Sequence, residues 1–221
     1  MANSIVSCFC NSCSRATDHA VVWIDSTTDE ELPDGQASGT RVRVLRCCGC
    51  RECTLKQEQW YFSGIPDPDE EAVQTLGEPI YEPPRLWRRA PDWLKEIEST
   101  DPDLKGILDE VYSATNDKQV RLLSMGVRSA LDYVMTKIIG KDIGSFERKL
   151  NEMVEQGHLT ERQKVNLNVV IDAGSASTHR SFRPPRQLLE EMVTMMENII
   201  RDHYITGPML TTAKTLIPPR P

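Results

Sequence analysis

The spacing of apolar residues changes once along the chain. It runs at intervals of two before about residue 62 and at intervals of three and four from about residue 91 onward. In the first stretch HAVVWI and RVRVL alternate and are rich in β-branched side chains, so each predicts a short strand. In the second, Leu104, Ile107, Leu108, Val111 and Tyr112 fall at i, i+3, i+4, i+7 and i+8, and Leu122, Met125, Leu131, Val134, Met135 and Ile138 continue that period. These two segments predict amphipathic helices. Ser145 is placed to cap a helix carrying Phe146, Leu150, Met153 and Val154, and Thr160 with Gln163 forms a capping-box pattern that opens a helix through Val169 and Val170. Gly157 and Gly174 read as stops. Pro184 and Pro185 precede a last stripe of Leu188, Leu189, Met192, Val193, Met196, Ile199 and Ile200, where a proline in the first turn removes no intrahelical bond. Five or six helices in an up-down arrangement follow.

Between the two patterns, residues 63–90 carry a dense run of prolines and acidic side chains, which disfavours helix and central strand alike. This predicts an extended linker lying on the next domain, with Tyr81, Leu86 and Trp87 as anchors. The expected organisation is therefore a small β module over 1–62, a linker over 63–90, a helical domain over 91–206 and a surface tail over 207–221. The fold class expected is mainly α, an up-down bundle preceded by a small β module.

Composition adds exclusions. With 39% hydrophobic and 27% charged residues and no long apolar run, the chain is not expected to span a membrane. Its start, MANSIVSCFCNSC, lacks the basic and apolar regions of a secretory signal, so the expected compartment is the cytoplasm. The formal charge is −7, residues 1–80 holding 6 basic and 13 acidic side chains and residues 81–221 holding 20 of each. Neither half has the basic excess of an unspecific phosphate binder, so RNA or DNA would be reached through a local patch or another protein.

All seven cysteines fall between Cys8 and Cys53, and in a reducing compartment such clustering favours metal over disulfides. Cys10-x-x-Cys13 and, some thirty residues on, Cys47-x-x-Cys50 or Cys50-x-x-Cys53 supply four thiolates at the spacing of a structural zinc ribbon. Gly49, just before Cys50, favours Cys47 and Cys50, because a knuckle needs a small residue where its amides curl toward sulfur. Cys8, Cys48 and Cys53 are then spares. Arg41, Arg43, Arg46 and Arg51 crowd this second knuckle, either as a phosphate-facing strip or, as the acidic total favours, as a solvated face.

Taken in order from about Cys10 to Tyr204, FCNSC, LRCCGC, EQWYF, APDWL, LDEVYSA, MGVRSALD, GSFERKL and DAGSASTHRSFRP resemble the bacterial domain-of-unknown-function family 4145, whose helical part is placed in the HEPN-like superfamily. The resemblance implies a four-cysteine zinc ribbon ahead of a HEPN-like bundle, with Cys47 and Cys50 as the second pair. It also implies a homodimer, and a setting among RNA-cleaving toxins or anti-phage defence systems with a protein partner there. Met195 and Ile199 agree with a dimer, since they lie beside the main stripe of the final helix and widen it past one core face.

Active HEPN ribonucleases place an arginine four to six residues before a histidine. No arginine stands between Val170 and Thr178, ahead of His179. His179, Arg180 and Arg183 offer a proton carrier and cations for metal-independent attack by a ribose hydroxyl, with Arg128 and Asp132, at i and i+4, to orient them. The competing reading makes Gly174, Ser175, Ala176 and Ser177 small residues for close helix packing, His179 a hydrogen-bonded structural residue, and Arg128 with Asp132 an intrahelical ion pair. The missing arginine favours the second reading. The expected function is a non-catalytic, zinc-stabilised interaction module, with a ribonuclease using His179 and Arg180 as the alternative.

Overall fold

The computed structural model describes residues 4–31, 35–63 and 74–218, and divides into two compact units, Met1–Arg89 and Ala90–Pro221. Among the described residues no helix is long and apolar enough to cross a membrane.

The first unit is one antiparallel sheet of five strands in sequence order: β1 Ile5–Cys10, β2 Arg15–Glu31, β3 Ala37–Cys47, β4 Cys53–Phe62 and β5 Gln74–Glu82. It curls into a half-barrel, and strand makes up 26% of the structure against 50% helix. The expected fold class, mainly helical with a small zinc ribbon, is corrected by this sheet. Two physical reasons explain the underestimate. β2 runs on from HAVVWI through DSTTDEE, whose polar, Thr-rich residues are held by cross-strand pairing with β3, Ser26 opposite Arg41 and Thr28 opposite Gly39. β5 lies within the segment read as a linker, yet it is an edge strand, where Pro79 removes no ladder bond. Gly77 takes a left-handed φ of 70° where the β4–β5 register shifts opposite Glu58. The acidic run of the expected linker, 64–73, lies outside the described residues.

The segment after β5 is fastened to the first cysteine turn. Asn11 donates to the Pro84 carbonyl at 2.9 Å and accepts from the Leu86 N–H at 3.0 Å, Arg89 donates to the Ser12 carbonyl, and Arg85 stacks 4.0 Å over Phe9. Of the expected anchors, Tyr81 stands on the sheet opposite Lys56 and Leu86 is held by Asn11.

Register identifies the inner face of the half-barrel. Cys8, His19, Leu45, Cys47 and Glu58 share it, and all are buried. Among the described residues the buried apolar set of this unit is Cys8, Cys10, Leu45 and Cys47. Gly39 is required there: a Cβ would collide with the Thr27 carbonyl oxygen and lie 2.8 Å from the Trp60 indole, which crosses that position. Trp60 Nε1 is buried with no acceptor among the described residues.

The second unit holds α1 Leu94–Thr100, α2 Pro102–Asn116, α3 Val120–Ile139, α4 Phe146–Glu155, α5 Glu161–His179, α6 Arg186–Arg201, a π-helical turn Asp202–Thr206 and α7 Gly207–Leu216. α7 occupies most of what reads in sequence as a tail. The caps are where the sequence puts them: Ser145 accepts from Arg148 N–H, and Thr160 with Gln163 forms a full capping box. Gly157 follows α4 at φ 77°. Gly174 does not stop a helix, however. It lies inside α5, and a Cβ there would sit 3.0 Å from the Ser124 carbonyl oxygen and 3.1 Å from Arg128 Cβ of α3. The missing side chain admits α3, and Gly126 does likewise against Val111 of α2. The core stripe of α3 is Leu123, Val127, Ala130, Leu131, Val134 and Met135, whereas Leu122 and Met125 are exposed.

Candidate metal centre

Hairpin geometry brings the two cysteine pairs together. Cys10 ends β1 and Cys13 lies in the turn to β2; Cys47 ends β3 and Cys50 lies in the turn to β4. After each pair a non-glycine residue adopts the left-handed region, Ser14 at φ 55° and Arg51 at φ 71°, which turns the chain back into the next strand. The four Sγ atoms all lie within 4.8 Å of one another, with Cys10 to Cys50 at 3.5 Å and Cys13 to Cys47 at 3.9 Å. Metal–sulfur bonds of about 2.3 Å in a tetrahedron put sulfurs about 3.8 Å apart, so these four can hold a metal ion. Cys10 and Cys47 are buried, Cys13 is half-buried and Cys50 is exposed. Gly49 contributes less by being small than its place suggests, because a Cβ there would meet Cys13 and Cys47 Sγ at 3.6 and 3.8 Å, ordinary contacts.

The surroundings favour one thiolate before any cation arrives. The Thr17 hydroxyl, 3.3 Å away, and the backbone N–H groups of Cys50 and Gly49 lower Cys47 to about 5. Hydrogen bonding with Cys50, then burial and Cys10, push Cys13 up to about 12. At Cys50 the Glu52 N–H favours the anion, but burial and the Cys10 thiol outweigh it and the pKa is raised. A divalent cation reverses this pattern by displacing the remaining protons. Behind the thiols, His19 donates from Nδ1 to the Thr17 carbonyl at 2.9 Å and lies 3.3 Å from Cys8 Sγ, fixing the residue whose hydroxyl faces Cys47. Cys8, Cys48 and Cys53 lie outside the four-thiol group. Cys53 pairs with Arg46, out of phase with Cys47.

A family profile described as Domain of unknown function (DUF4145) matches residues 109–216. The chain carries a DUF4145 domain. The match begins inside α2 and ends with the last residue of α7, so it excludes the sheet and includes the helix expected as a tail. No curated protein and no solved structure matches the chain.

In the DUF4145 domain the five residues weighed for catalysis do not converge. His179 is exposed in the last turn of α5, and Arg180 and Arg183 are exposed beyond it. Arg128 stacks 4.4 Å over Phe146 and donates to the Ile171 carbonyl at 3.1 Å. Asp132 accepts from Lys149 at 2.7 Å, so Arg128 and Asp132 each have another partner instead of forming the expected pair. Lys149 is 2% exposed and also meets Asp142 at 3.0 Å and the Thr136 hydroxyl at 2.8 Å. Of the small residues of DAGSASTH, Ala173, Gly174, Ala176 and Ser177 are buried, and Gly174 meets α3 as close packing requires.

Two arrangements in the helical unit have no local sequence signal. Asp101, 7% exposed, caps α2 through Leu104 N–H and accepts from the hydroxyls of Tyr133 at 2.8 Å and Tyr204 at 2.9 Å. Tyr204 lies in the π-helical turn, so a single carboxylate ties that turn to α2 and α3. From the same turn Asp202 and His203, together with His158, line a cleft of about 640 Å³. Loss of solvation and the neighbouring His158 lower the pKa of His203.

Proposed function

We propose that the chain is a non-catalytic interaction module whose sheet is organised by one structural zinc ion on Cys10, Cys13, Cys47 and Cys50. The observation that carries this reading is the pairing of four sulfurs within 4.8 Å of one another with a sheet whose buried apolar set, among the described residues, is three cysteines and one leucine. A fully buried leucine contributes about 1.5–3 kcal/mol, which does not offset the ordering of five strands. Zinc binding contributes about 10–16 kcal/mol of apparent folding free energy in small zinc domains, which does. Four thiolates in a closed set suit zinc and leave no open coordination position for a substrate.

The ribonuclease alternative draws no support from the geometry, since His179 and Arg180 are solvent-facing and Arg128 and Asp132 are engaged elsewhere. The setting we propose is the one the resemblance implies: a cytoplasmic homodimer joined through the helical half, with a protein partner in a nucleic-acid-linked or anti-phage defence system. Exposed Met209, Leu210 and Leu216 on α7 offer apolar surface for self-association.

Elemental analysis of the purified chain, with light scattering and an RNA-cleavage assay in chelator, tests the whole reading. One zinc per chain, a dimer and no cleavage are expected. Metal-free thiols in a sheet that stays folded would overturn the zinc assignment. Cleavage abolished by His179→Ala would overturn the non-catalytic one.

A further inference from the structure

The inner face of the half-barrel carries a second chemistry beyond the thiols. Arg41 and Arg43 alternate along β3 and stand opposite Glu58 and Lys56 of β4. The three cations converge on one carboxylate: Glu58 is 3% exposed, Arg43 reaches it at 3.1 Å, Arg41 at 3.9 Å, and Lys56 pairs with its other oxygen. Among the described residues Glu58 is the one carboxylate within ion-pair distance of them.

That pairing is unbalanced in charge and in hydrogen bonding. Three positive charges face one negative, on a chain whose total is −7. Each guanidinium offers about five N–H donors and the ammonium about three, against roughly four lone-pair sites on the carboxylate. The side chains of Arg41, Arg43 and Lys56 stay 24%, 20% and 14% exposed, so part of each remains open to solvent on a curved face, where like charges concentrate positive potential. Arg46, one position out of phase, falls on the opposite face.

We propose that this face binds single-stranded nucleic acid through its phosphates, with Arg41, Arg43 and Lys56 as the contacts. Alternate residues on a strand stand about 7 Å apart, a span suited to successive phosphates of an extended strand. Trp60 and Tyr81 share the face, half-buried beside the cations, Trp60 two residues from Glu58 and Tyr81 opposite Lys56. They supply ring surface for base stacking, the combination that single-strand grooves use. Glu58 is then the internal counter-ion that the phosphates partly displace. The proposal rests on the interaction-module reading and names its partner class.

The test uses the full, zinc-loaded chain with fluorescent single-stranded RNA and DNA oligonucleotides, a duplex of equal length, and inorganic phosphate. Binding of the single strands is expected, weakening with salt at a log–log slope of about −2 for three contacts. Arg43→Gln should weaken it about five- to ten-fold and reduce the slope. Glu58→Gln, which removes the competing anion, should tighten it several-fold; a merely structural ion network predicts no such gain. Zinc content and circular dichroism of each variant show that the sheet is folded. No binding by folded wild type, binding indifferent to Arg41→Gln and Arg43→Gln, or tighter binding of duplex would each overturn the proposal. Inorganic phosphate alone competing at equal concentration would assign a free-phosphate site and overturn the strand as partner. Loss of zinc and fold together would instead count against the underlying reading.

Discussion

Replacing Asp101 by alanine removes a carboxylate on which three donors converge. The Tyr133 and Tyr204 hydroxyls and the Leu104 N–H all point at it, at 2.8, 2.9 and 3.2 Å. Hydrogen bonds to a charged acceptor contribute about 1.5–3 kcal/mol each, and a helix N-cap about 1 kcal/mol. The variant also recovers part of the cost of burying a charge, so the expected loss is about 3 kcal/mol, or about 10 °C in a domain of this size. Burial opposes ionisation of Asp101, but Tyr133, the Leu104 N–H, Tyr204 and Lys137 outweigh it and hold its pKa below the ordinary carboxylate value. The lowered folded-state pKa fixes the sign. The stabilisation is full above the unfolded value, about 3.9, and is lost as pH falls through the folded one. Urea unfolding monitored by far-ultraviolet circular dichroism, on wild type, Asp101→Ala, Tyr204→Phe and the double variant, yields the coupling. About 1–2 kcal/mol is expected at pH 7, with the gap between wild type and Asp101→Ala shrinking below pH 4. A coupling under about 0.3 kcal/mol, or a gap constant from pH 7 to pH 3, would refute the three-donor account.

Four further outcomes follow from the structure. Cys47→Ser should abolish zinc retention while Cys8→Ser, Cys48→Ser and Cys53→Ser keep it, as read by elemental analysis after dialysis against chelator. Gly174→Ala, with its Cβ 3.0 Å from the Ser124 oxygen, should lower stability by about 1–3 kcal/mol in urea unfolding. Gly106→Ala, facing open space inside α2, should raise it by about 0.5–1 kcal/mol in the same assay. His179→Ala should change the melting temperature by no more than a surface substitution does, within about 0.5 kcal/mol, and a larger loss would show a contact that its exposure does not suggest.

What is legible in the sequence follows from what is local. The capping box at Thr160 and Gln163 is a pattern within four residues, and its hydrogen bonds are present. The cysteine pairs are equally local: Cys10, Cys13, Cys47 and Cys50 lie close enough to hold a metal ion, while Cys53 pairs with Arg46, which puts it out of phase with Cys47. Gly174 reads wrongly as a stop because a glycine that ends a helix and one that admits a neighbouring helix look alike in a chain; only the approach of Ser124 and Arg128 separates them. Thr17 and His19 escape a sequence reading for the same kind of reason. Their roles depend on strand register, His19 opposite Cys47 and Thr17 opposite Cys8, and register is not written in either segment alone.

The largest misjudgement, the size of the sheet, has a deeper cause. Strand prediction relies on apolar alternation because most sheets bury one apolar face. Here the buried side of the half-barrel is filled by three cysteines, His19, Leu45 and an ion cluster about Glu58, while Trp23 and Ile80 are exposed. A sheet with thiols and charges inside and scattered apolar residues outside leaves little alternation to detect, and a periodicity argument ends it too early. The same inversion divides the two units by what stabilises them. The helices have Leu104, Leu108, Leu131, Leu150 and Met196 fully buried and need no cofactor to exclude water. Among the described residues of the sheet the buried aliphatic side chain is Leu45, so on the proposed reading its order depends on what its sulfur and charged atoms bind.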